Sequence, residues 1–405
     1  MLVQLPLEIL EHIFLYCDVE DKHNVALCSK ELNTIMEPLL WNTVYIRSDL
    51  LNATWQKDLL RKFRHTRSLD MHFGKNYEIF FSSHHTKQSS TSPAANFNLT
   101  RVLGAIDRNQ LTKFSVSYLN CDDIFKYIMD TLWFVERIDL VGVQLTEKAW
   151  KSLPSGLRRL SFGRLCNVTD GIIKEIMERC QLKKLECDLD FFDRTGISDK
   201  LSNESLHHIS KVESIEDLSI FLCIPPTVDI TCLSKMHNLT SLNLSGNIPL
   251  LDAKNFMFQI CQNLQRLEVL VLSSVRVTDE SFCNIHMLSS LVKLSILTMD
   301  CLSACSIFHY LKLISTLQEL EFDGWTFKEL ALDKEMMKDE RKEELYKDIR
   351  VLNHLKKLSK ITVSCFDEYD ISQIIIEGLC ERRKWIHQYG NYVHTFYNAF
   401  CRPRQ

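Results

Sequence analysis

Hydrophobic and polar residues along this chain recur as short hexads with leucine-like residues at positions one, four and six. The clearest copy is Leu239-Thr240-Ser241-Leu242-Asn243-Leu244, continued by Ser245, Gly246 and Asn247. The alternation across Leu242 and Leu244 has period two, so both side chains face one side of a short strand. Asn247 stands where an asparagine side chain can bond backbone groups left open beyond the strand and turn the chain. One such unit cannot bury its apolar face alone. Stacked copies can, each covering its neighbour.

Ten hexads begin at Leu111, Val135, Leu157, Leu182, Ile215, Leu239, Leu267, Leu291, Leu317 and Leu358. The steps between them are 24, 22, 25, 33, 24, 28, 24, 26 and 41 residues. Most match the roughly 20–29-residue period of a leucine-rich repeat, with one strand and one helix per unit. Two units continue with Val168-Thr169-Asp170 and Val277-Thr278-Asp279, ahead of Ile172, Ile173 and Ile176 and of Phe282 and Ile285. Thr or Asp there caps a following helix, and the spaced apolar residues give it an inward stripe. The expected fold is an α/β leucine-rich-repeat solenoid over residues 111–384, with parallel strands on the concave side and helices on the convex side. The repeat leucines are core, so function belongs to the variable positions between them.

Residues 1–47 follow a different pattern. Leu5-Pro6 opens a helix, with Pro6 at a first-turn position where its missing N–H costs nothing. Pro6, Leu10, Ile13, Phe14 and Cys17 keep to one helical face. Asp18 is placed to cap a second helix carrying Val25 and Leu27. A third helix shows the stripe Leu32, Ile35, Met36, Leu39 and Leu40. Three short helices in so few residues cannot make a self-sufficient core, so their apolar faces need something else to cover them.

The run Leu5-Pro6-Leu7-Glu8-Ile9-Leu10-Glu11-His12-Ile13-Phe14, then Asp21, Leu27-Cys28-Ser29-Lys30 and Leu40-Trp41, closely resembles an F-box. Cys17 stands where that family often has Leu, and Leu32 near its usual Trp. An F-box followed by such repeats is the layout of the F-box/leucine-rich-repeat family. The resemblance implies the substrate-recognition subunit of an SCF-type, cullin-based ubiquitin ligase, with the F-box held by a Skp-type adaptor on a cullin scaffold. The adaptor contacts it implies are Leu5, Pro6, Ile9, Leu10, Ile13, Phe14, Leu27, Leu40 and Trp41. Of these, Leu5, Pro6, Leu10, Ile13 and Phe14 are expected to leave a partly exposed apolar surface.

Residues 48–110 link the two parts, with Leu69 and Met71 as a degenerate first strand. The stretch 74–98, containing Ser82-Ser83-His84-His85 and Ser89-Ser90-Thr91-Ser92-Pro93, reads as a mobile loop. The 41-residue step holds the charged run 333–350, where Glu343 and Lys347 are four apart; it reads as an inserted helix. The aromatic-rich tail 385–405 lacks the repeat pattern and is placed to cap the open end.

Composition narrows the function. With 48 basic and 52 acidic residues and a net charge of −4, nonspecific nucleic-acid binding is not expected. Fifteen scattered cysteines without a Cys-x-x-Cys pair read as free thiols in a reducing compartment, not as disulfides or a zinc site. The absence of a signal-peptide pattern and of a long apolar run predicts a cytoplasmic and/or nuclear protein without a membrane partner. No phosphate-binding loop or hydrolase motif occurs, and only 11 glycines are present. No enzyme activity, metal or cofactor is expected. A receptor of this kind needs no catalytic residue, because holding a target near a charged conjugating enzyme raises its effective concentration.

Target binding is then expected on the strand face opposite the leucines. Positions there begin with Lys113, Ser115, Ser117, Arg137, Asp139 and Arg159 and continue with Ser219, Ser241, Asn243 and Ser245. Val269, Val271 and Leu297 follow as apolar residues, and Glu319, Glu321 and Asp323 as an acidic cluster beside Lys360 and Thr362. The six residues Val269, Val271, Leu297, Glu319, Glu321 and Asp323 form the candidate substrate patch. The competing expectation is a leucine-rich-repeat scaffold or inhibitor that binds protein without recruiting a ligase.

Overall fold

Each of the ten hexads becomes a strand that starts two residues into it, from Lys113 after Leu111 to Lys360 after Leu358. The protein is described from a computed structural model. It describes residues 9–10, 13–14, 16–17, 19–47, 57–73, 93–163, 166–190, 201–223, 229–248, 253–297, 302–323, 347, 349–350, 352, 355–364, 385–390 and 393–398. The chain divides into two compact units, residues 1–182 and 183–405.

In the first unit, helices Val19–Cys28 and Lys30–Leu40 precede five strands: β1 (Thr43–Arg47), β2 (Ser68–His72), β3 (Lys113–Ser117), β4 (Arg137–Val141) and β5 (Arg159–Phe162). They pair in chain order and in parallel. Parallel neighbours require crossovers, and those after β3 and β4 carry helices Asp122–Thr131 and Glu147–Trp150. Strand β1 lies within the stretch assigned above to the helical N-terminal segment. Its alternating exposed and buried residues place Val44 and Ile46 inward, continuous with Leu69 and Met71 of β2.

The second unit holds β6 (Lys184–Asp190), β7 (Asp217–Cys223), β8 (Ser241–Ile248), β9 (Val269–Val275), β10 (Lys293–Leu297), β11 (Glu319–Asp323) and β12 (Lys360–Ser364), again parallel and in order. The tail forms β13 (Trp385–Gly390) and β14 (Val393–Asn398), a hairpin whose β14 pairs antiparallel with β12. It occupies the last edge of the sheet, where a strand would otherwise leave its backbone groups unpaired.

The repeats are joined by a recurring backbone device. The carbonyl of the residue before one strand accepts two N–H groups from the start of the next. Glu216 O accepts from Thr240 and Ser241 at 2.8 and 3.1 Å, Thr240 O from Glu268 and Val269 at 2.8 and 3.0 Å, and Glu268 O from Val292 and Lys293 at 2.8 and 2.9 Å. Side chains repeat too. Thr169 caps its helix by accepting from Ile172 N–H at 3.3 Å, and Thr278 does so from Ser281 N–H at 3.4 Å. The carboxylate of Asp279 reaches onward, accepting both the backbone N–H and the hydroxyl of Ser303 at 2.8 Å.

Leu239, Leu242 and Leu244 are fully buried, as the hexad pattern requires. Ser241, Asn243 and Ser245 are half-buried, not fully exposed. Flanking strands at about 4.8 Å leave little room between side chains on the open face. Leu244→Ala is expected to cost about 2–5 kcal/mol as a core cavity. Asn243→Ala should cost almost nothing, because the Asn243 Oδ1 is buried with no hydrogen-bond partner to lose. Chemical denaturation of the two variants checks the register.

One boundary changes. Helix Pro93–Ala105 begins inside the stretch 74–98 expected to be a mobile loop, with Pro93 at its first position, where the ring fits and no N–H is needed. Residues 74–92 lie outside the described residues, as do the charged run from 333 to 346, Leu5, Pro6 and the side chain of Asn247.

Candidate protein-binding surfaces

The N-terminal segment has an inner and an outer face. Leu10 and Phe14, four residues apart, are 1% and 3% exposed and meet Ala26 and Met36 in a small core. Cys17, Val25, Ile35, Leu39 and Leu40 pack against it. Ser29 separates the two helices and caps the second, its Oγ accepting from Leu32 N–H at 3.1 Å. Leu10 and Phe14 were expected on the adaptor-facing surface, and the structure buries them instead. So short a segment must commit its largest inward side chains to its own core.

Of the expected contacts, Ile9, Ile13 and Leu27 are left outside. Ile9 and Ile13 are 49% and 41% exposed, Tyr16 81% and Leu27 72%. Tyr16 was not picked out from the sequence, although its offset of three from Ile13 puts it on the same side. Leu27, Leu40 and Trp41 come together with His23, Tyr45 and Lys62 around a cleft of about 390 Å³. Trp41 is also engaged inward. Its ring meets Phe63 edge-on with centroids 5.8 Å apart, and Lys62 Nζ lies 5.6 Å from its centroid while pairing with Glu37 at 3.7 Å. Trp41 thereby ties the segment to the first repeat.

The candidate substrate patch in the second unit is brought together in part. Val269 and Val271 are half-buried neighbours on one face of β9. Strand register sets Val269 beside Lys293, Val271 beside Ser295, and Leu297 beside Ser273. Leu297 is therefore diagonal to Val271, not opposite it. The acidic cluster is not free. Ser295 Oγ donates to Glu321 Oε2 at 2.7 Å, and Lys293 Nζ lies 3.7 Å from Glu321 and 4.0 Å from Glu319. Lys293 was missed, although it stands at the third position of the Leu291 hexad. Ser295, only 1% exposed, interrupts the apolar strip. The side chain of Asp323 lies outside the described residues.

The open face of the first unit carries a different chemistry. Lys113, Arg137 and Arg159 stand in one row across β3, β4 and β5. Asp139, in the next row, takes Lys113 at 2.9 Å and the fork of Arg137 at 3.3 and 3.2 Å. Arg159 is exposed and makes no ion pair among the described residues. Asp70, beside Ser115, has its carboxyl pushed above the usual carboxylate range, chiefly by burial; Lys113 and His72 oppose the shift and Asp139 adds to it. At the strand ends Tyr45, His72 and Tyr118 form an aromatic run, with centroids 6.2 and 5.2 Å apart.

Buried thiols are chemically quiet. Burial pushes Cys180 up to about 11 and Cys261 to about 12, and raises Cys187 as well. None is primed as a thiolate nucleophile.

The F-box-like family matches residues 2–47. No curated protein sequence matches the chain. Solved structures that match include an internalin from Listeria monocytogenes, with TM-score 0.41 and 12% identity over 86% of this chain and 89% of that one. Another is the Rad7 and Elc1 complex from yeast, with TM-score 0.42 and 13% identity over 78% of this chain and 86% of that one.

Proposed function

We propose that this chain, an F-box-like segment joined to leucine-rich repeats, is the substrate receptor of an SCF-type ubiquitin ligase. The observation that carries the proposal is the F-box-like segment itself, whose own core is filled by Leu10, Phe14 and Met36 while Ile9, Ile13, Tyr16 and Leu27 remain open to a partner. A Skp-type adaptor covers that surface and links the chain to a cullin scaffold. The repeats hold a target protein on their open face. The receptor contributes no reacting group; it supplies proximity, which raises the effective concentration of target lysines at the conjugating enzyme. The proposal places the protein in the cytoplasm or nucleus.

The second reading, a repeat scaffold or inhibitor, draws on Trp41. Its packing against Phe63 and Lys62 is what a capping helix pair would make with a first repeat. Co-expression of the full chain with a Skp-type adaptor and a cullin separates the two. A stoichiometric complex on size exclusion supports the receptor; an adaptor that elutes alone supports the scaffold.

A further inference from the structure

We infer that the open face of the first unit is the docking surface for an extended acidic segment of a partner protein that also carries aromatic or large apolar side chains. The inference rests on the receptor reading above, and it moves target binding away from the valine and glutamate positions of the second unit.

The argument starts from charge. Among the described residues, the strand side chains on this face present Lys113, Arg137 and Arg159, with Arg47 at its edge, against Asp70 and Asp139. One carboxylate, Asp139, is shared by Lys113 and Arg137, so the pair retains net positive charge. Arg159 continues their row and is exposed with no ion pair among the described residues. From Lys113 to Arg159 the row spans about 10 Å across three strands, the length of about three residues of an extended chain laid across them. The forked guanidinium of an arginine binds a carboxylate through two parallel hydrogen bonds.

The second part of the surface is apolar. Tyr45 is 53% exposed and Val141 45% exposed, and His72 and Tyr118 lie between them in the strand order. Tyr118 is held there at φ 57, a backbone region that a non-glycine residue enters at a cost, with its N–H donating to Val141 O at 2.7 Å. Open aromatic rings on a strand face give an interface its desolvated centre, and the cations give it an orienting rim. Nucleic acid fits less well. The chain as a whole is net negative, at −4, and the cations number four beside two carboxylates.

The acidic positions of the second unit are less available. Its glutamates are already met by Lys293 and Ser295.

The test uses the full chain purified after co-expression with a Skp-type adaptor. The probe is a fluorescein-labelled dodecapeptide of repeated Glu-Phe-Ser units, compared by anisotropy with versions carrying Gln for Glu, Lys for Glu and Ala for Phe. The Glu-Phe peptide is expected to bind about tenfold more tightly than the Gln and Ala versions, and to weaken as salt rises from about 50 to about 300 mM. Arg159→Glu should remove most of that advantage, Arg159→Gln about half, and Tyr45→Ala should lower affinity with little change in the salt dependence. The double variant Val269→Ser, Val271→Ser on the open face of β9 in the second unit should change nothing. Melting temperatures of the surface variants equal to wild type would attribute the losses to contact. Equal binding of the Glu and Gln peptides, tighter binding of the Lys peptide, or equal binding of an oligothymidylate of similar length would overturn the inference. Adaptor retention is read in the same samples. Captured adaptor without peptide discrimination removes this surface and leaves the receptor reading standing; peptide discrimination without adaptor does the reverse.

Discussion

Replacing Gly246 with Val should strongly destabilise the second unit's central repeats. Gly246 follows Ser245 near the end of β8, at φ +111, where a side chain is strained whatever space surrounds it. There is also no space. A Cβ built at Gly246 would stand 2.0 Å from Leu222 O on the neighbouring strand, and backbone cannot swing aside as a flexible side chain can. The pairing of β8 with β9 shifts register between Ser245 and Ile248, and Gly246 stands inside that irregular stretch. Backbone strain of about 1–3 kcal/mol and overpacking of about 1–3 kcal/mol add up to a large share of a marginal stability of about 5–15 kcal/mol. Even Gly246→Ala should lower the urea midpoint sharply. Gly156→Ala is the matched control, because nothing lies within 4 Å of its Cβ position. Equal midpoints for the two alanine variants would contradict the tight approach at Leu222.

That glycine shows how far the sequence is legible. The hexads mark every strand from β3 to β12, because a period-two apolar pattern leaves one face for the core whatever the loops do. Their first residues, from Leu111 to Leu358, are all buried. The turn after β8 is less legible. Its asparagine, Asn247, stands out in the sequence, whereas the need for Gly246 comes from the neighbouring carbonyl of Leu222, which no local pattern records.

The open face is harder still. Listing Glu319 and Glu321 as an acidic cluster follows from period two, but their charge state of affairs depends on Lys293 and Ser295 one strand away. Like hexad positions pair whatever the loop length, Lys293 with Glu319 and Glu319 with Lys360, so such pairs show only when neighbouring hexads are aligned and not within one hexad. Strand β1 was hidden for another reason. It begins two residues after Trp41 and carries Val44 and Ile46 without any leucine of the hexad.

Changing Phe14 to Ala should abolish adaptor capture by destroying the segment, and changing Ile13 and Leu27 together to Asp should abolish it while the segment stays folded. Both variants follow from one geometry. Phe14 is 3% exposed and shares a core with Leu10, Ala26 and Met36, so its truncation should cost about 3–5 kcal/mol. A core this small has little stability to lose, and the helices Val19–Cys28 and Lys30–Leu40 should lose their fixed packing. Ile13 and Leu27 are 41% and 72% exposed, so aspartates there meet water and should change stability by about 0.5 kcal/mol or less each. In a complex, however, the same carboxylates would be buried against an apolar partner surface without a counter-charge, at a cost of several kcal/mol. The measurement is paired: adaptor co-purification for binding, and hydrogen exchange of residues 19–40 for folding. Loss of capture with protection retained in the aspartate variant, and loss of both in Phe14→Ala, is the expected outcome. Capture that survives the two aspartates would mean that the exposed face of Ile13 and Leu27 is not where the adaptor binds.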